Sequence, residues 1–202
     1  MIELVENDGV STVTINRPER ANSLTQAMLN ELADIAERAS SARALVLTGT
    51  GRVFSAGADL DEARAGLTTS EVWERLSGAI AALPCLKVAA LNGTLAGGAM
   101  GMVLACDLRI AVPQARFFYP VMKLGFLPQP SDPGRMAALI GPARTKLILM
   151  AGQKISSEEA YQFGLVDRIV APDALLSTAG ELVKESQNAQ PEIAAGIAAM
   201  CR

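Results

Sequence analysis

Histidine is missing from all 202 residues of this chain. Its absence excludes every Ser-His-Asp and Cys-His mechanism and the HExxH zinc site, so Ser55 is not the nucleophile of such a triad. Cysteine is scarce. Cys85, Cys106 and Cys201 are odd in number, widely spaced and form no CxxC pattern. They are expected to be buried, reduced thiols of a cytoplasmic protein, and no metal site is expected. Blocks of one charge are missing too. Only 19% of residues are charged and the formal net charge is −3, which argues against a nucleic-acid footprint. No apolar run has membrane length. The most apolar stretch, from Gly93 to Cys106, is short and glycine-rich, whereas a bilayer takes roughly 20 residues. Met1-Ile2-Glu3-Leu4 shows no basic region ahead of an apolar run, so no secretory signal is expected. Gly49-Thr50-Gly51-Arg52 lacks the GK[ST] ending of a phosphate-binding loop.

What is present is ample apolar material: half of the residues are hydrophobic, enough for one domain with a sizeable core. Two alternating runs, residues 2–6 and 10–15, flank Asn7-Asp8-Gly9 and read as a hairpin. A helix follows from Thr25, with Met28, Leu29, Leu32, Ile35 and Ala36 on a 3.6-residue period. Strands are expected at 44–48, 87–91, 108–112 and 166–170. Helices are expected at 69–83, 97–106, 131–139, 142–151, 156–163 and 173–187. Pro142 suits a first helical turn, and Ser156 with Glu159 offers a capping box. Strand, strand, helix recurring along the chain predicts an α/β fold with stacked sheets and no linker separating two domains.

Two segments carry the chemistry. In Phe54-Ser55-Ala56-Gly57-Ala58-Asp59-Leu60 and in Asn92-Gly93-Thr94-Leu95-Ala96-Gly97-Gly98, a strand runs into a small-residue turn and then a helix. The first N–H groups of a helix have no internal partner. Two such ends aimed at one point form an oxyanion hole made by the main chain. The donors would be the N–H groups of Ala58 and Gly98, with Gly57 permitting close approach. The plainer alternative is that both turns merely join strands to packed helices. Asp59, at a helix start, reads as a cap more readily than as a chemical group.

FSAGADL at 54–60 and NGTLAGGAMGMVLACDLRIA at 92–111 resemble the two signatures of the crotonase (enoyl-CoA hydratase/isomerase) superfamily. NRPERANSLT at 16–25 and GQKISSEEAYQFGLVDRIV at 152–170 match as well, so the resemblance spans nearly the whole chain in order. It implies a crotonase (ClpP-like) spiral of ββα units over residues 1–170, with a short helical region at 171–202. It implies an acyl-CoA or enoyl-CoA small molecule as partner, coenzyme A entering as part of the substrate, and no tightly bound cofactor. The two amides would hold the thioester oxygen. Ala56, Asp59, Arg17, Arg20 and Arg52 lie in or beside the matching motifs and are candidates to face the coenzyme. By family analogy the chain would form a homotrimer or a hexamer, with no membrane partner.

The resemblance breaks at the acid–base positions. Family hydratases place one glutamate three residues after the oxyanion glycine, where this chain has Gly101. They place another after a proline, where this chain has Val121. Neither residue carries a proton. An isomerase or lyase is therefore expected rather than a plain hydratase, or else a degenerate acyl-CoA-binding module. Asp132 is the titratable candidate in the loop that follows Leu124-Gly125, and an Asp-Pro pair at a helix start can equally be a cap. Tyr119, Asp61 and Glu62 are lesser candidates. Leu67, Val72, Trp73 and Leu76 would be pocket wall or ordinary core.

Overall fold

In the computed structural model, residues 1–201 are described. The strands are β1 (Ile2–Asn7), β2 (Val10–Ile15), β3 (Ala44–Gly49), β4 (Val53–Ser55), β5 (Leu86–Leu91), β6 (Thr94–Ala96), β7 (Leu108–Ala111), β8 (Arg116–Phe118), β9 (Ile155–Ser156) and β10 (Arg168–Ile169). The helices are α1 (Gln26–Arg38), α2 (Leu60–Arg64), α3 (Val72–Ala82), α4 (Met100–Leu104), α5 (Val121–Leu124), α6 (Asp132–Leu149), α7 (Ser157–Phe163), α8 (Leu175–Asn188) and α9 (Pro191–Met200).

One sheet has the order β1-β2-β3-β5-β7-β10 and the other β4-β6-β8-β9. Asp8 and Gly9 both have positive φ, as a two-residue hairpin turn requires, and β1 pairs antiparallel with β2. From β2 onward every pairing in the larger sheet is parallel. Each pass through the molecule lays one strand in the large sheet (β3, β5, β7), one in the small sheet (β4, β6, β8), and then a helical segment. The small-sheet strands therefore deliver their helices side by side. That arrangement brings the ends of β4 and β6 together, because those two strands are parallel neighbours.

The core lies against the large sheet. Val88, Ala89, Ala90 and Leu91 of β5 are fully buried, as a parallel strand covered on both faces should be. Helix α1 starts at Thr25, whose hydroxyl accepts from the Met28 amide at 3.2 Å. It buries Met28, Leu29, Leu32, Ala33, Ile35 and Ala36, each large side chain contributing about 1.5–3 kcal/mol. Asp107 has a structural role. It accepts the Lys87 amide at 2.8 Å and pairs with the buried Lys87 ammonium at 2.9 Å, tying the chain just past α4 to β5.

Several boundaries differ from the sequence reading. The helix expected at 97–106 is a 3-10 turn, Gly97–Ala99, followed by α4. The helix expected from residue 69 begins at Val72 after a separate turn at Leu67–Thr69, because Ser70 is extended. Strands β4, β6, β8 and β9 are two or three residues long, too short to show a period. Cys85 and Cys106 are buried, but Cys201 is exposed, because α9, which it follows, buries none of its residues. Helix α6 is broken at Gly141, with φ 78° and ψ 160°, just before Pro142, as the two separate helices expected there require. At α7 the capping box forms: the Ser156 hydroxyl accepts from the Glu159 amide, and Glu159 accepts from the Ser156 amide. Ser156→Ala is expected to cost about 1 kcal/mol, seen as a lower urea midpoint with unchanged slope.

Candidate active site

The chain around Gly57 is held from one side by residues 21–24. Ala56 N–H donates to Ala21 O at 3.0 Å, Leu24 N–H to Gly57 O at 2.8 Å, and Asp59 N–H to Leu24 O at 2.8 Å. Asn22, with φ 53°, is the clamp behind this segment. Its side chain accepts from the Arg17 amide and donates to Thr50 O and Val53 O. The Ser55 hydroxyl donates to Asn22 O at 2.8 Å and accepts from the Gly57 amide at 3.1 Å, a scaffolding role. The amides of residues 56, 57 and 59 are thus all used, while the Ala58 N–H has no partner among the described residues. Gly98, in the first turn after β6, likewise donates to no group among them.

Gly57 (φ 88°) and Gly97 (φ 60°) each precede one of these two amides in a left-handed turn. A Cβ on Gly57 would lie 2.9 Å from Ala96 O and 3.4 Å from Gly97 Cα. The two turns therefore touch backbone to backbone. Trp73 of α3 packs on Gly98, where a Cβ would come within 3.1 Å of the indole, and its Nε1–H donates to Leu67 O at 2.7 Å. Ala56, Ala58, Gly97, Gly98, Trp73 and Tyr119 are among the residues that line a cavity of about 530 Å³. Exposed Leu60 and Arg64, which also line it, mark its mouth.

The charged candidates distribute unevenly. Arg17 is engaged internally, with its guanidinium on Ser23 and, at 2.8 Å, on the Asp59 carboxylate. Asp59 caps α2 by accepting from the Asp61 amide. The Arg17 hydrogen bond holds the Asp59 carboxyl below the usual carboxylate range, against the opposing effect of burial. Arg20 and Arg52 are exposed and are not among the cavity's lining residues. Asp61 pairs with Arg64 on the surface, and Glu62 accepts the Gln26 amide. Leu67, Val72 and Leu76 belong to the core; of the four wall candidates only Trp73 lines the cavity.

Asp132 makes no capping hydrogen bond. The first turn of α6 is instead served by Glu74 of α3, which accepts from the Ser131 amide and hydroxyl. The Asp132 side chain is fully buried. Its Oδ2 accepts the Tyr119 hydroxyl at 3.0 Å, and its Oδ1 has no partner among the described residues. Burial pushes its carboxyl up to about 7; Glu74 adds to the rise, while the Tyr119 hydrogen bond and Arg135 oppose it. Burial, with Asp132 beside it, also raises the Tyr119 hydroxyl. The Gln129 amide reaches the Tyr119 oxygen at 3.4 Å. Val121 is buried at the start of α5 and is not among the residues lining the cavity.

A family model described as enoyl-CoA hydratase/isomerase matches residues 5–201. The chain belongs to that family. It is 37% identical to the YngF protein of Bacillus subtilis strain 168 over 188 residues, covering 88% of this chain and 72% of that one. It is 32% identical to the 1,2-epoxyphenylacetyl-CoA isomerase of Escherichia coli K12 over 201 residues, covering 94% and 76%. The crystal structure of the enoyl-CoA hydratase from Bacillus anthracis superposes with a TM-score of 0.89 at 31% identity, covering 98% of this chain and 80% of that one. The fold is thus the α/β crotonase fold.

One relation in this enoyl-CoA hydratase/isomerase family member is invisible in the sequence. A Cβ on Gly101 would fall 2.7 Å from Asp132 Oδ1. The two residues stand on different helices, and the only local signal, Asp before Pro at a helix start, points to a cap.

Proposed function

We propose that this protein binds an acyl-CoA thioester in the 530 Å³ cavity and stabilises its enolate between the Ala58 and Gly98 amides. The observation that carries this reading is the pair of N–H groups, without partners among the described residues, on two touching turns, both from residues lining that cavity. Each donor of this kind contributes about 2.7–4 kcal/mol to a barrier. A thioester carbonyl gains most from such donors when negative charge collects on its oxygen, which favours proton abstraction beside the carbonyl. The resemblance puts the hydratase glutamates at positions 101 and 121, and glycine and a buried valine stand there. This supports an isomerase or lyase rather than a hydratase.

The same two positions favour a second reading, an acyl-CoA carrier without chemistry. Butyryl-CoA in deuterated water separates the two: α-proton exchange followed by NMR supports the enzyme, and binding without exchange supports the carrier. Ala58→Pro removes one donor and is expected to slow exchange by about 100-fold or more. Rapid hydration of crotonyl-CoA would overturn the exclusion of hydratase chemistry.

A further inference from the structure

Gly101 of α4 and Asp132 of α6 share one space. The glycine is buried, and a side chain built from it would run at once into the Asp132 carboxylate, 2.7 Å from its Cβ. Asp132 therefore fills, from another helix, the room into which a residue at 101 would project. Its Oδ1 is buried and without a partner among the described residues, and its Oδ2 holds the Tyr119 hydroxyl. Tyr119 in turn stands in the wall of the cavity that Ala58 and Gly98 line. The Gln129 amide on its oxygen and the Asp132 carboxylate on its proton fix the direction in which the hydroxyl points.

We propose that Tyr119 is the residue that takes and returns the substrate's α-proton, relaying its own proton to Asp132, so that this pair does the acid–base work that Gly101 and Val121 cannot. This rests on the enolate reading above. In the step, the α C–H bond breaks and its proton goes to the Tyr119 oxygen. The electron pair passes into the enolate held by the two amides. The Tyr119 hydroxyl proton moves to Asp132 Oδ2, which becomes neutral. Tyr119 is neutral before and after, so the raised pKa of its hydroxyl is no obstacle. Return of the proton to the α-carbon reverses the step; its return to the γ-carbon of an unsaturated chain completes a double-bond shift.

The charged and titratable groups around Asp132 come from three elements. Glu74 faces it from α3, Arg135 from its own helix, and Tyr119 from the end of β8. A carboxylate with an unpartnered oxygen in such a place is poised to become neutral, as a proton acceptor must.

The test compares the natural protein with Tyr119→Phe, Asp132→Asn and the double variant, each checked for folding by near-UV circular dichroism. Butyryl-CoA exchange in deuterated water is read by NMR, and butyryl-CoA binding by calorimetry. Each single variant is expected to slow exchange by about 100-fold or more, with Kd changed by less than about threefold. The double variant should be little slower than the slower single one, as residues acting as a unit behave. In the natural protein the rate should rise with pH to a plateau above about 7, and Asp132→Asn should abolish that rise, which loss of a structural contact alone would not do. Should Tyr119→Phe fail to fold, the pH profile of Asp132→Asn decides. Exchange undiminished in Tyr119→Phe, or an unchanged pH profile in Asp132→Asn, overturns the relay. Binding without exchange in the natural protein overturns the relay and leaves the thioester site standing; absence of binding overturns the site itself.

Discussion

Gly57→Ala is expected to destabilise the protein by about 2–5 kcal/mol and to abolish measurable acyl-CoA exchange. Two independent effects combine. The backbone at residue 57 has φ +88°, a conformation that costs an L-residue about 1–2 kcal/mol. The added methyl would also stand 2.9 Å from Ala96 O, a backbone atom fixed by the β4–β6–β8 pairing. It cannot swing aside as a flexible side chain would, and such overpacking costs typically about 1–3 kcal/mol. Relief is possible only if the two turns separate, which is also what pulls the Ala58 and Gly98 amides apart. Misplacing reacting groups by about 1 Å can cost about 100-fold in rate. Gly66→Ala is the control: φ there is +103°, but nothing lies within 4 Å of the new methyl. It should lose only the conformational part of the stability and retain binding. Urea denaturation and calorimetry on both variants check the pair. Equal losses in the two would mean that contact between the turns contributes nothing.

This contrast also marks how far the sequence could be read. The turns at 56–59 and 96–98 were legible as turns because runs of glycine and alanine between an apolar strand and a helix break both periods. The caps at Thr25, Asp59 and Ser156 were legible because a cap is decided by residues within one helical turn. The short strands of the second sheet were not, because two or three residues show no period and their pairing is decided by distant partners. The arginine that lines the cavity was not legible for a related reason. Sequence proximity to a motif drew attention to Arg17, Arg20 and Arg52, whereas Arg64, which lines the cavity, lies one helix further along. Arg17 proves to hold Asp59 in place, which is a way of fixing the turn at residues 56–59. The least legible relation was between Gly101 and Asp132. A glycine where the resemblance implies an acid reads as a loss, and an aspartate before a proline reads as a cap. Only the packing of α6 across α4 puts the second into the space of the first.

That packing should leave a signature in stability against pH. The Asp132 carboxyl is raised from an ordinary 3.8 to about 7 in the folded protein. In the unfolded chain it ionises near its ordinary value, so between pH 4 and 7 the folded state binds more protons than the unfolded state does. Stability must then fall as pH rises through that window and level off above it. Three pH units at about 1.4 kcal/mol each amount to a contribution on the order of 4 kcal/mol. Asp132→Asn cannot ionise and is free of this loss, although its amide leaves a buried donor short of partners at every pH. The quantity to follow is the difference in unfolding free energy between Asp132→Asn and the natural protein, from urea titrations at pH 4 to 8.5. It should swing steadily in the variant's favour from pH 4 to 7 and stay constant thereafter. Every other titrating group cancels in that difference, apart from Glu74, Arg135 and Tyr119, which act directly on Asp132. A difference that stays flat across the window would mean that the carboxyl ionises as it does in water. Asp132 would then be no reluctant anion, and it would have no greater readiness to accept a proton through Tyr119 than any surface aspartate.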